Sequence, residues 1–327
     1  MFLGRASECL VERGKPMKTS QPPYRSILVP LDGSPFAEQA LPLAFAIAAK
    51  SGALVQVALV HHPVPALATA LEVPEIEAQL DQEARLRETT YLSGVVDRWR
   101  GGANVPVTSA VLEGPVAEAL EEQVDVSGAD LIILTTHGRG PLSRFWLGSV
   151  ADQLMRRIHV PLLLVRPQGD VAPEPRLERI LVALDGSPFA EQALGSATAL
   201  AKPFGAAVAL FMAVEPSAPI ADPSGLVVLP PSPESDEKRR DAAKAYLDGI
   251  AAAVAADGVA VTTHVSMEQA APQAILAQAD ALRADLVVLA SHGAGGFERL
   301  VIGSVADKVI RGSVHPTLVV RPPRHVL

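Results

Sequence analysis

Two aspartates, a run of glycines and two serines recur in this chain at spacings that suit holding a phosphate rather than breaking a bond. Asp32 and Asp185 each lie in an LDGS tetrapeptide directly after a short apolar run. Gly138 and Gly140 follow another apolar run in the first half, and Gly293, Gly295 and Gly296 do so in the second. Gly148-Ser149 and Gly303-Ser304 then open a helical pattern. Glycines let a backbone approach a phosphate closely, and a helix N-terminus offers unpaired N–H groups and a favourable dipole. Ser149 and Ser304 read as N-caps, with Asp152 and Asp307 three residues on completing a capping box in which Asp replaces the usual Glu or Gln. Each feature also has a purely structural reading. Asp32 and Asp185 could satisfy N–H groups of the following turn, and the glycines could form tight turns. His137 and His292 have no acidic partner at a suitable spacing and read as packed or hydrogen-bonded histidines.

Several kinds of chemistry lack their signatures. The chain has no GxxxxGK[ST] loop, no GxGxxG after its first strand and no GxSxG elbow. No paired acid and base or cluster of metal ligands stands out. His61-His62 has no counterpart in the second half, which argues against a metal site common to both. Arg144 and Arg299 match between the halves and suit a surface or interdomain role. The pattern favours binding over turnover.

A duplication determines how these residues are positioned. Ile27–Leu41 and Ile180–Leu194 agree at 14 of 15 positions. About 110 residues later in each half, Thr136–Pro167 matches Ser291–Pro322. Two matched blocks in one order imply two globular units of about 150 residues each. Within the first copy the pattern predicts strands at Ile27–Leu31, Val55–Val60, Val105–Leu112, Leu131–Thr135 and Leu162–Val165. It predicts helices from Ser34-Pro35 to about Lys50, before Arg100, over Val116–Val126 and over Ser149–Arg157. Strands alternating with helices mean an α/β fold of two tandem doubly wound, Rossmann-like domains, with parallel sheets. Ligands in such sheets bind beyond the carboxyl ends of the strands, where the glycines and aspartates fall. The expected boundaries are 1–23 for an N-terminal extension, 24–167 and 179–322 for the domains, 168–178 for a Pro-containing linker and 323–327 for a C-terminal tail. The second copy carries its longest loop at Glu215–Ser235.

Composition narrows the partners. Residues are 49% hydrophobic and 20% charged, with 28 basic and 36 acidic side chains and a net charge of −8. Without a basic stripe, neither nucleic acid nor an anionic membrane surface is expected as a partner. The single cysteine, Cys9, allows no internal disulfide and suits a reducing compartment. Met1–Pro23 lacks the apolar core of a signal peptide and reads as an extension in which Met17 is an alternative start. Leu41–Val60 is apolar, but Lys50-Ser51-Gly52 interrupts it, so a helix followed by a strand is expected rather than a membrane span.

Taken together, the ILVxLDGS start, the HGxG…GSVAD segment and the final apolar strand ending in VRP resemble the universal stress protein family in its tandem form. The resemblance covers about Tyr24–Pro167 and Arg179–Pro322. It implies a five-stranded parallel sheet with helices on both faces in each domain, a cytoplasmic location, and dimerisation through the last strand. In a tandem chain it implies pairing of the two halves within one molecule, and a homodimer is a further possibility. Many relatives bind ATP through G-x2-G-x9-G-[ST]. Gly138, Gly148 and Ser149, and Gly293, Gly303 and Ser304, match its later positions, while Thr135 and Ala290 replace its first glycine. The resemblance makes Asp32 and Asp185 face the nucleoside and Val60 and Ala213 line the adenine pocket. The implied ligand is ATP or another adenine nucleotide, with or without a divalent cation. A first-glycine position needing positive φ would suit Ala290 better than β-branched Thr135, making the second half the tighter binder. The resulting expectation is a stress-response sensor or adaptor and not an enzyme. Its alternatives are a scaffold that binds no nucleotide and, less favoured, a weak ATPase or nucleotidyl-transfer enzyme.

Overall fold

The computed structural model describes residues 21–63, 74–101, 105–136, 147–167, 174–217, 220–221, 228–229, 232–268, 270–291 and 302–321. Residues 23–176 form one compact unit, and the residues from Leu177 onward, with Gln21 and Pro22, belong to a second. In the first unit the elements run β1 (Ser26–Leu31), α1 (Pro35–Glu38), α2 (Leu41–Ser51), β2 (Leu54–Val60), α3 (Pro74–Arg100), β3 (Val107–Leu112), α4 (Val116–Ser127), β4 (Leu131–Thr135), α5 (Ser149–Arg157) and β5 (Leu162–Val165). All its strand pairs are parallel, in the order β3-β2-β1-β4-β5. Ile27 of β1 lies opposite Val55 on one side and Leu131 on the other. The strands other than the edge strand β3 are apolar because both faces of the sheet are covered there, so alternation with polar residues would strand them in the core. The chain steps one way from β1 to β3 and returns past β1 to β4 and β5. Crossovers of one hand therefore place helices on both faces.

The second unit repeats this plan with β6 (Arg179–Ala183), α6 (Pro188–Phe204), β7 (Ala207–Val214), β10 (Val261–Met267), β11 (Leu286–Ala290) and β12 (Thr317–Val320). Its sheet order is β10-β7-β6-β11-β12, again parallel. Helices α7 (Pro233–Ala256), α8 (Ala271–Leu282) and α9 (Ser304–Gly312) complete it. The long loop before α7 holds a small antiparallel pair, β8 (Ile220–Ala221) with β9 (Val228–Leu229). No described helix is long and apolar enough to cross a membrane.

The halves differ in their first helix. The expected continuous helix from Pro35 to Lys50 is split in the first half into α1 and α2, whereas α6 runs unbroken. Pro42 explains the split: it has no N–H to donate to Glu38, and its ring crowds that carbonyl. The chain tightens there, with Gln39 N–H donating to Phe36 O at 3.1 Å and Ala40 N–H to Ala37 O at 3.2 Å. The matching position of the second half is Gly195, which leaves the helix intact.

A repeated aspartate fixes the central strands at their amino ends. Asp130 accepts hydrogen bonds from the backbone N–H groups of Arg25 and Ser26. Asp285 does the same for Glu178 and Arg179, both at 2.9 Å. These carboxylates join β1 to β4 and β6 to β11, the strand pairs that flank the reversal of each sheet.

Candidate functional site

The sheet order changes direction between β1 and β4, and between β6 and β11. A crevice opens at the carboxyl ends of such a pair because the flanking crossovers leave on opposite faces. Asp32 follows β1 and Thr135 ends β4, so the structure brings the LDGS turn beside the carboxyl end of the fourth strand. Asp185 and Ala290 occupy the same places beside β6 and β11.

The LDGS turn is built from its own residues. Asp32 Oδ1 accepts from Ser34 N–H at 2.9 Å, and Asp185 Oδ1 from Ser187 N–H at 2.9 Å. Between them, Gly33 and Gly186 take φ of 79° and 81°, a left-handed backbone that a side chain would strain. Ser34 and Ser187 are the N-caps of α1 and α6, accepting from Ala37 and Ala190 N–H, and Pro35 and Pro188 follow at the first helical position. Asp32 is half-buried and Asp185 exposed. Each aspartate thus does the turn-satisfying work open to it from sequence, with Oδ1, while standing at the mouth of the crevice.

The N-termini of α5 and α9 stand at the ends of β4 and β11, and here the capping expectation is corrected. The N-caps are Gly148 and Gly303, not Ser149 and Ser304, and neither helix has a side-chain cap bond. The serines are the first helical residues, and both are exposed. Asp152 and Asp307 do not close a capping box either. They form ion pairs with Arg156 and Arg311 one turn on, at 3.0 and 2.8 Å. Ser149, Val150 and Ala151, like Ser304, Val305 and Ala306, have no carbonyl of their own helix to donate to. Two exposed hydroxyls therefore stand at helix ends that have no side-chain cap among the described residues, and the first-turn carboxylates Asp152 and Asp307 are already paired with arginine.

Gly148 is glycine for a reason that needs no ligand. Its N–H donates to Thr136 O at 2.7 Å, and a Cβ there would lie 2.9 Å from the same oxygen. Gly303 N–H makes the equivalent bond to Ser291 O at 2.8 Å. These bonds anchor each helix N-terminus to the end of β4 or β11. Their φ values are both −58°, so left-handed backbone selects glycine at neither position, and at Gly148 close approach does.

Thr135 and Ala290 are the last residues of β4 and β11, opposite Val165 and Val320. Both are extended, since Arg283 is the one non-glycine residue with positive φ among the described residues. The backbone argument for tighter binding by the second half therefore has no footing: a β-branched residue suits a strand. Val60 and Ala213 occupy equivalent places near the ends of β2 and β7, next in the sheet to β1 and β6. Gly138, Gly140, Gly293 and Gly295 lie outside the described residues, as do His137, His292, Arg144 and Arg299.

Two clusters were missed in the sequence. Glu38, in the repeated FAEQAL block, accepts from Tyr91 OH at 3.0 Å and from Arg98 at 2.8 Å. Its counterpart Glu191 accepts from Tyr246 OH at 3.1 Å. Burial raises the Tyr91 phenol above its ordinary pKa, and the charges of Glu38 and Asp32 push the same way. Internal comparison offered a signal, since Tyr91 and Tyr246 stand at the separation that relates the second matched blocks. The other cluster surrounds His61, which is 1% exposed. Its Nε2 lies 2.7 Å from Asp81 Oδ1, and its Nδ1 2.7 Å from Glu88 Oε2.

Comparison with known proteins agrees with this fold. The profile of the universal stress protein family matches residues 23–166 and again 176–321. A universal stress protein of Mycolicibacterium smegmatis is 29% identical over 262 residues, 79% of this chain and 81% of that protein. One from Mycobacterium tuberculosis H37Rv is 28% identical over 302 residues, covering 90% and 96%. The crystal structure of an Archaeoglobus fulgidus universal stress protein overlays 91% of this chain and 97% of its own with a TM-score of 0.64 at 22% identity, a likeness of fold. With both halves matched along nearly their whole length, the chain belongs to the universal stress protein family and carries two tandem copies of its domain.

Proposed function

We propose that each half binds an adenine nucleotide at its crevice and that the protein works as a nucleotide-dependent sensor or adaptor in the cytoplasm. The observation that carries this reading is the pair of exposed serines at helix N-termini with no side-chain cap among the described residues, anchored at the ends of the strands that pair with β1 and β6. A free helix end with an adjacent hydroxyl suits a phosphate, and the arginine-paired Asp152 and Asp307 lessen the repulsion it would meet. On this reading Ser149 and Ser304 receive phosphate oxygens, together with Gly138, Gly140 and Gly148 in one half and Gly293, Gly295 and Gly303 in the other. Asp32 and Asp185 face the nucleoside, and Val60 and Ala213 contact the base. A divalent cation accompanying ATP would be held mainly by the phosphates. The domain limits 24–167 and 179–322 belong to the same reading.

Binding without turnover is proposed because no described residue sits as a base beside the serines. The apolar final strands support a further part, self-association through those strands.

Ser304→Asp separates this function from a scaffold that binds no nucleotide. An aspartate in the first helical turn favours the helix by about 0.3–1 kcal/mol while repelling phosphate. The expected result is an unchanged or higher melting temperature, lost ATP affinity in the second half, and little change in adenosine affinity. Unchanged ATP affinity in the folded variant would defeat the phosphate assignment.

A further inference from the structure

The first half contains a charged junction of which the second half keeps Asp81 and Arg85, as Asp236 and Arg240, but replaces the histidine and one carboxylate with apolar residues. His61 continues from β2, its N–H donating to Leu112 O at 2.7 Å, and its ring meets two carboxylates of α3. Arg85, between them on the same helix, donates to Asp81 at 2.8 Å and to Glu113 beyond β3. His62 turns aside, with Nδ1 3.1 Å from Val60 O. In the second half the residue matching His61 is Val214 and that matching Glu88 is Ala243, both buried.

The first stretch of α3 depends on this junction. Among residues 76–91 none is buried, and the apolar anchors of the helix begin at Leu92, Val95 and Val96. In α7 they begin at Ala243, about one turn earlier in matched positions. Both ring nitrogens of His61 face acceptor oxygens. Only the imidazolium has two N–H groups to donate; a neutral ring would turn a lone pair toward a carboxylate 2.7 Å away.

We infer that His61 is a proton-dependent latch. As the imidazolium it fastens the first part of α3 to the carboxyl end of β2, and its deprotonation frees that part of the helix. The inference does not rest on nucleotide binding. The direction follows from linkage. Burial opposes the charge on His61, but the hydrogen bonds and charges of Asp81 and Glu88 outweigh it, so its pKa is raised above the ordinary 6.5. The latch is complete below the unfolded value and is lost as pH rises through the folded one. Alkaline conditions therefore loosen α3, and α7 has no equivalent.

The test is hydrogen exchange of the full-length protein, read by mass spectrometry across a pH series and corrected for intrinsic rates. Imidazole NMR signals of the same protein locate the His61 titration. Protection of residues 76–91 is expected to fall about tenfold or more through that titration, as loss of a charge-assisted interaction implies, while residues 235–246 show no step. Glu88→Gln should move the step to lower pH. The double variant His61→Val with Glu88→Ala, which installs the second half's pair, should abolish it. Absence of a step in the native protein, a matching step in α7, or a step that survives in the double variant would overturn the latch.

Discussion

Gly148 shows how a residue that looks like ligand chemistry can have a structural cause. Its missing side chain makes room for Thr136 O, and that contact sets where α5 begins. Gly148→Ala should destabilise the first half by about 1–3 kcal/mol, the usual cost of forcing an atom into a packed site. Urea unfolding checks this, and a loss under a few tenths would mean that the carbonyl moves aside freely. The glycine is consequently a poor probe of phosphate contact, and the serines beside it are better ones. The residue types of the crevice were legible in the sequence, but the role of Ser149 was not. Glycine and serine are both good N-caps, so a Gly-Ser pair leaves the helix start uncertain by one residue. That single step turns a capping hydroxyl into an exposed one.

Helices show what a repeat reveals and what it hides. The strands expected in the first half fell within a residue or two of the observed ones, and the central strands owe this to apolar runs buried on both faces. The break between α1 and α2 was also written in the sequence, in Pro42 against Gly195, but the identical residues before it suggested one continuous helix. The attachment of α3 was not legible: His61 lies 20 and 27 residues from its partners Asp81 and Glu88, and no local pattern links them. The tyrosine ties of α3 and α7 give a prediction at this scale. Tyr91→Phe leaves Glu38 its bond to Arg98 and should cost about 1 kcal/mol. Tyr246→Phe takes a donor from the more deeply buried Glu191 and should cost more, about 1–3 kcal/mol. Denaturant unfolding of the two variants checks the order. Equal costs would show that burial of the carboxylate does not matter there.

For the whole molecule, duplication means two copies of one crevice, each bounded by the same LDGS turn and the same Gly-Ser helix start. The junction at His61 belongs to one copy only, so the two halves should respond differently to pH while sharing a ligand class. Calorimetric titration of ATP into the nucleotide-free full-length protein tests the central claim most directly. Two nucleotides should bind per chain, both lost in the Ser149→Asp, Ser304→Asp double variant while that variant stays folded. A folded native protein that takes up no ATP at millimolar concentration would contradict it.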